Sequence, residues 1–200
     1  ALVTLSGPVA HPGVYEIEYG ASLASLVEAA GGVTAPPRAA LIGGYGGSWI
    51  DARLLRGVAL SDEHLAPLDA SFGAGVVALL SPDACPVAET ARVTRWLALQ
   101  SAGQCGPCLH GLDALARAFE EVAAGVSQGN PAARVAHLSE LVRRRGACAH
   151  PDGAARFAAS ALRAFAPELH EHARRGPCPS CRRTGELPLP LHPRIDVAAP

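Results

Sequence analysis

The chain has 200 residues, 49% of them hydrophobic and 18% charged, with a formal net charge of -1. That composition describes a folded globular chain of one or two domains, with apolar material enough for a core. It lacks the clustered basic excess that nucleic acid or an anionic membrane surface demands, so neither is expected as a partner. All the basic residues other than histidine are arginines, and Ala, Gly and Pro are abundant, a bias that fits a GC-rich coding sequence. No apolar run reaches the roughly 18 residues of a membrane span, and the N-terminus lacks the basic-then-apolar layout of a signal peptide. A cytoplasmic chain without direct membrane insertion is expected. It contains no Met and begins inside an apparent strand, "ALVTLSG", which suggests a piece of a longer polypeptide.

In chain order, "LVTLSG", the turn "HPG" and "VYEIEYG" predict a β-hairpin, with Val14, Glu16 and Glu18 alternating against Tyr15, Ile17 and Tyr19. "SLASLVEAAGG" places Leu23, Leu26 and Val27 on one helical face and stops at Gly31-Gly32. "AALIGGYGGSWI" reads as two short strands joined by a glycine-rich turn, and Gly75 to Leu80 reads as a buried strand. "GGYGGSW" lacks the spacing, the following helix and the ribose-binding acid of a dinucleotide fingerprint, so it is expected to shape a tight turn. Hairpin, helix and further strands form an α+β order.

From Pro86 onward the pattern is helical. "PVAETARVTRWLALQ" opens with proline at a favourable first position. The next helix puts Leu112, Leu115, Ala116, Phe119 and Val122 on one stripe. A third has Asn130 as its N-cap and Val135, Leu138, Leu141 and Val142 on one side; Arg143, Arg144 and Arg145 at its end would suit the helix dipole or an anionic neighbour. A fourth, "GAARFAASALRAFAPELHEHARR", carries Phe157, Leu162 and Phe165 at helical spacing. Four helices on short connections predict a four-helix bundle. The expected division is 1–80, 81–175 and a proline-rich tail, 176–200, extended or disordered.

Six cysteines in such a chain are more often metal ligands or free thiols than disulfides. Cys105 and Cys108, in "GQCGPC", stand at a helix entrance, where free N–H groups stabilise thiolates. Cys148 lies 40 positions after Cys108, in the turn between the third and fourth helices. In an antiparallel bundle both turns fall at one end, so three thiolates can converge. Cys85, at a strand–helix junction, reads as an inert buried residue. Cys178 and Cys181, in "GPCPSC", read either as metal ligands or as a flexible thiol pair. His110 and His150 read as polar loop residues, and Trp49 and Trp96 as packing residues.

From "GPVAHPGVYE" to the end of the fourth helix, the chain resembles the C-terminal part of the flavoprotein subunit of NADH:quinone oxidoreductase, and of related NAD-reducing hydrogenase and formate dehydrogenase subunits. The resemblance implies a ubiquitin-like, soluble-ligand-binding β-grasp (SLBB) domain followed by a helical iron–sulfur domain. The family's cluster loop reads roughly E-S-C-G-x-C-x-P-C-R-E-G, against Gln100 to Gly111 here, and its later C-A-x-x-D-x-A segment corresponds to Cys148–Ala154. The segment "GAGVVALLSPDACPVAETAR" also matches, with Cys85 as a non-ligand.

The resemblance implies a 4Fe-4S cluster on Cys105, Cys108 and Cys148, with Ala102 standing where the family has its first cysteine ligand. Four outcomes stay open at that position. Cys178 or Cys181 supplies the missing ligand; three thiolates hold the cluster, as 3Fe-4S or as 4Fe-4S with a non-cysteine ligand such as Ser101, His110 or His150; the iron has been lost; or zinc replaces it.

The expected function is an electron-transfer module of an NADH- or flavin-linked oxidoreductase, not catalytic alone. FMN and NAD would act only through a domain not in this chain, and a ferredoxin-like or thioredoxin-like iron–sulfur subunit would be a further partner. The alternatives are a metal-free scaffold or binding module, or a zinc-stabilised structural domain.

Overall fold

The computed structural model describes residues 1–182 and 185–189. Strands β1 (Leu2–Ser6) and β2 (Gly13–Glu16) form the expected antiparallel hairpin, with Leu2 opposite Glu16. Helix α1 (Leu23–Ala29) starts at Ser22, whose hydroxyl accepts the Ser25 N–H, and it buries Leu23 and Leu26. Strands β3 (Ala39–Ile42) and β4 (Ser48–Asp51) pair antiparallel, a short helix α2 (Asp62–Leu65) follows, and β5 (Val76–Leu80) closes the sheet.

The strand order is β2-β1-β5-β3-β4, with β5 parallel to β1 and antiparallel to β3. This is the mixed sheet of a ubiquitin-like β-grasp. Because side chains alternate along a strand, β3 and β5 feed two cores. Ala40, Ile42, Val77 and Leu79 join α1 on one face. Ala39, Leu41, Ala78 and Leu80 join the helical layer on the other. Both faces are covered, which explains why "AALI" and "VVALL" are continuously apolar rather than alternating.

The glycine-rich segment is the predicted turn, joining β3 to β4. A side chain at Gly47 would place Cβ 2.0 Å from the Ile42 carbonyl oxygen, so only glycine fits there.

The helical layer consists of α3 (Pro86–Leu99), α4 (Leu112–Ala123), α5 (Pro131–Val142), α6 (His150–Ala164) and α7 (Ala166–Arg175). A wide π-helical turn, Pro107–Gly111, leads into α4. The fourth predicted helix is two helices. It breaks at Phe165 (φ -128°, ψ 28°), just before Pro167, which cannot donate a backbone hydrogen bond. The freed Phe165 ring meets Trp49 edge-on at 5.2 Å. Along α5 the apolar stripe also departs from expectation: Leu141 is exposed, and Ser139 takes the inner position by donating its hydroxyl to the Val135 carbonyl.

Strand β4 lies at the sheet edge, where its N–H groups have no strand partner on the outer side. There the Trp49 N–H, buried against α6, donates to Ser160 Oγ at 2.8 Å. The described part of the tail is packed against the body of the protein rather than disordered. Pro179–Arg182 form a tight helical turn, and residues 185–189 lie along α3 as a strap. Glu89, with no exposed surface, accepts the N–H groups of Gly185 (2.6 Å), Glu186 (3.4 Å) and Leu187 (3.3 Å). Arg92 bridges Glu89 (2.7 Å) and the Leu187 carbonyl (3.3 Å). The remainder of the proline-rich tail, 183–184 and 190–200, lies outside the described residues.

Candidate metal centre

Successive helices α3 to α6 run antiparallel, so the α3–α4 and α5–α6 turns share one end of the layer. Cys105 and Cys108 occupy the first turn and Cys148 the second, as the sequence predicted. Gly103, at φ +64°, reverses the chain ahead of Cys105. The π-helical turn is pressed onto α5: a Cβ at Gly111 would stand 2.5 Å from Val142 Cγ2.

The N–H of Ala147, in the Cys148 turn, donates to the Cys105 sulfur and, with the Cys108 N–H, holds that thiol below its usual range. Cys108 is pushed upward, first by burial and then by its hydrogen bond to Cys105, while Cys148 adds like-charge repulsion. Cys148 is exposed. The arginine run lies past the last turn of α5, with Arg143 as its cap, rather than inside the helix. The Arg144 N–H donates to Asp152, at the start of α6.

His150 Nε2 lies 2.9 Å from the Leu97 carbonyl, a contact in which Nε2 donates and the lone pair stays on Nδ1. His110 and Ala102 face solvent, and Ser101 is half-buried.

Cys178 and Cys181 do not come to the loop. They meet Cys85 and His172 at the other end of α3, about 21 Å away along a 14-residue helix. Cys85, read from the sequence as inert, is the N-cap of α3, and its sulfur accepts the Ala88 N–H at 3.4 Å. It lies 3.3 Å from the Cys181 sulfur and 3.4 Å from His172 Nε2. His172 Nε2 stands 3.1 Å from Cys181, and Cys178 Sγ is 3.7 Å from Cys181 Sγ. All four donor atoms lie within 4.8 Å of one another, and they are the one such group found among the described residues. Burial, followed by the hydrogen bond to Cys85, pushes the Cys181 thiol upward.

His172 went unrecognised in the sequence, although a histidine six positions before a C-x-x-C is a usable metal-ligand signal. Cys85, 87 positions earlier than His172, carries no local signal at all.

Comparison with known proteins gives this arrangement its context. Residues 88–172 match the NADH-ubiquinone oxidoreductase-F iron-sulfur binding region, and residues 2–47 match the SLBB domain. The F 2 subunit of the NADH-quinone oxidoreductase of Rhizobium meliloti (strain 1021) is 30% identical over 181 residues, covering 89% of this chain and 43% of its own. The corresponding F subunit of Mycobacterium tuberculosis (strain ATCC 25618 / H37Rv) is 30% identical over 187 residues, covering 89% and 40%. The crystal structure of an air-oxidised NAD+-reducing NiFe hydrogenase superposes with a TM-score of 0.76 at 28% identity, over 86% of this chain and 30% of that one.

Fold and matches together define the class: an SLBB β-grasp unit joined to a helical iron–sulfur binding region. Over these two units the chain is similar to the F subunits of NADH-quinone oxidoreductases. It spans about two-fifths of the length of the curated relatives it matches.

Proposed function

We propose that this chain is an electron-transfer module in which Cys105, Cys108 and Cys148 hold an iron–sulfur cluster. The observation that carries the reading is the placing of Cys105 and Cys108 in one turn and Cys148 in another, with the Ala147 N–H of the second turn bonded to the Cys105 sulfur of the first. The Ala147 and Cys108 N–H groups directed at the Cys105 sulfur add support, because N–H donors are what a sulfur-ligated cluster draws from its surroundings.

When bound, such a cluster supplies one-electron storage at a potential set by burial and hydrogen bonding. The protein's own part is to position the thiolates, to supply N–H donors and to place Arg143, Arg144 and Arg145 beside an anionic group. With Cys178 and Cys181 engaged elsewhere and Ala102 exposed, a three-thiolate site follows, either 3Fe-4S or 4Fe-4S with a non-cysteine ligand.

The division into residues 1–80, 81–175 and 176–200 belongs to the same proposal, as does a cytoplasmic location. Among the described residues no helix is long and apolar enough to cross a membrane. The electron donor would be an FMN/NADH-binding domain or subunit, and the acceptor a ferredoxin-like or thioredoxin-like iron–sulfur subunit, completing an NADH:acceptor oxidoreductase.

The test is anaerobic purification with iron and sulfide analysis, visible absorption and EPR, on the parent chain and on Cys105→Ser and Cys148→Ser. The reading expects a cluster chromophore that either substitution weakens or abolishes. A parent chain that stays colourless and iron-free after reconstitution would leave a metal-free scaffold in its place.

A further inference from the structure

We propose that Cys85, His172, Cys178 and Cys181 form a second, independent metal site that binds one zinc ion and fastens the tail to the body of the protein. Their donor atoms already have the dimensions of a single ion's shell. Tetrahedral zinc with Zn–S of about 2.3 Å and Zn–N of about 2.0 Å places sulfurs about 3.8 Å apart and sulfur and nitrogen about 3.5 Å apart. The sulfurs here stand 3.3 and 3.7 Å apart along Cys85–Cys181–Cys178, and Nε2 stands 3.1 and 3.4 Å from Cys181 and Cys85. A cubane holds each thiolate on a different iron, with the body of the cluster between them. Four donors within 4.8 Å of one another leave no room for that.

The imidazole is set in the tautomer a metal needs. His172 Nδ1 lies 2.8 Å from the Glu168 carbonyl, to which it donates its proton, leaving the Nε2 lone pair turned to the three sulfurs. The Cys178 N–H at 3.4 Å points at the same nitrogen, which accordingly accepts. Three thiols and one imidazole are a complete protein shell with no position open for substrate, the pattern of a structural rather than a catalytic zinc site. Binding releases three thiol protons and leaves a complex of net charge -1 by ligand count. Arg38 and Arg175 line the adjoining cleft, where they pair with Glu168 and Glu171.

The ligands join three parts of the chain that lie far apart in sequence: the junction of β5 with α3, helix α7, and the tail. Zinc here would anchor the start of the strap that Glu89 then holds along α3. The site stands whether or not the Cys105 loop carries a cluster, since the two share no residue.

The experiment is metal analysis of the full chain, with cobalt(II) titration of the zinc-stripped protein, on the parent, Cys105→Ser, and the double variant Cys178→Ser/Cys181→Ser. The expected result is about one zinc per chain in the parent and in Cys105→Ser, falling to about a tenth or less in the tail variant, whose iron content is unchanged. Cobalt should give the intense visible bands of a tetrahedral thiolate site in the unsubstituted chain, a readout that needs no variant to fold. Three results would overturn the proposal. One is a reduced parent chain that takes up neither zinc nor cobalt; another is a Cys85–Cys181 disulfide that reforms in preference to metal binding. The third is loss of iron from the tail variant, which would return those thiols to the cluster.

Discussion

Removing the carboxylate of Glu89 tests whether the tail is a built part of the fold. Glu89 is fully buried and accepts three strap N–H groups at 2.6 to 3.4 Å as well as the Arg92 guanidinium at 2.7 Å. Taking away one partner of a buried, hydrogen-bonded pair costs about 3–5 kcal/mol, because the groups left behind have no replacement for it. Arg92 keeps 28% of its side chain exposed and recovers part of its hydration, so Glu89→Ala belongs at the lower end, about 3 kcal/mol. For a chain of this size that lowers Tm by about 6–12 °C.

The decisive comparison is a double-mutant cycle in which the chain also ends after Arg182, removing the strap. Water then reaches the Glu89 pocket, and Glu89→Ala should cost about 1 kcal/mol or less in that background. The assay is urea unfolding followed by circular dichroism for all four chains. If Glu89→Ala costs the same with and without the strap, the carboxylate serves α3 alone and the strap argument fails.

Two further outcomes follow from the packing. Ser160→Ala removes the hydroxyl that accepts the edge-strand Trp49 N–H at 2.8 Å, leaving a buried donor unpaired; a loss of about 1–3 kcal/mol in urea unfolding is expected, and a loss near zero would mean water takes the position. Asp113, hydrogen-bonded to Arg95 between α3 and α4, is held below its usual carboxylate value of 3.8, with Arg95 the first cause. A carboxyl depressed on folding stabilises above its unfolded pKa, and that contribution fades as pH falls through the folded value. The Tm advantage of the parent over Asp113→Asn should therefore hold from neutral pH down to about 5 and shrink below about 4. A difference that does not vary with pH would refute the ion-pair account.

Much of the molecule was legible because its signals are local. Strand alternation, the Asn130 cap with its bond to the Ala133 N–H, and the helix stripe through Leu112, Leu115, Phe119 and Val122 each depend on residues within a few positions of one another. The Cys105–Cys108 loop and the Cys148 turn could be brought together from the helix order alone, since antiparallel connection puts alternate turns at one end. The break at Phe165 was visible in principle through Pro167. The inward turn of Ser139 in place of Leu141 was not, because it depends on which neighbouring helices cover α5.

By itself, the sequence determined the α+β order and the helical second half through short-range periodicity, while the assignment of Cys105, Cys108 and Cys148 to an iron–sulfur loop came from resemblance to a family motif. Only the tertiary structure decided where the tail goes. Cys85, His172, Cys178 and Cys181 are spread over three elements, and their meeting within 4.8 Å follows from how α3, α7 and the tail pack, not from any interval in the chain. The same holds for Glu89, an ordinary helix residue by sequence, which becomes a buried anchor because backbone N–H groups from residues 185–187 arrive at its carboxylate.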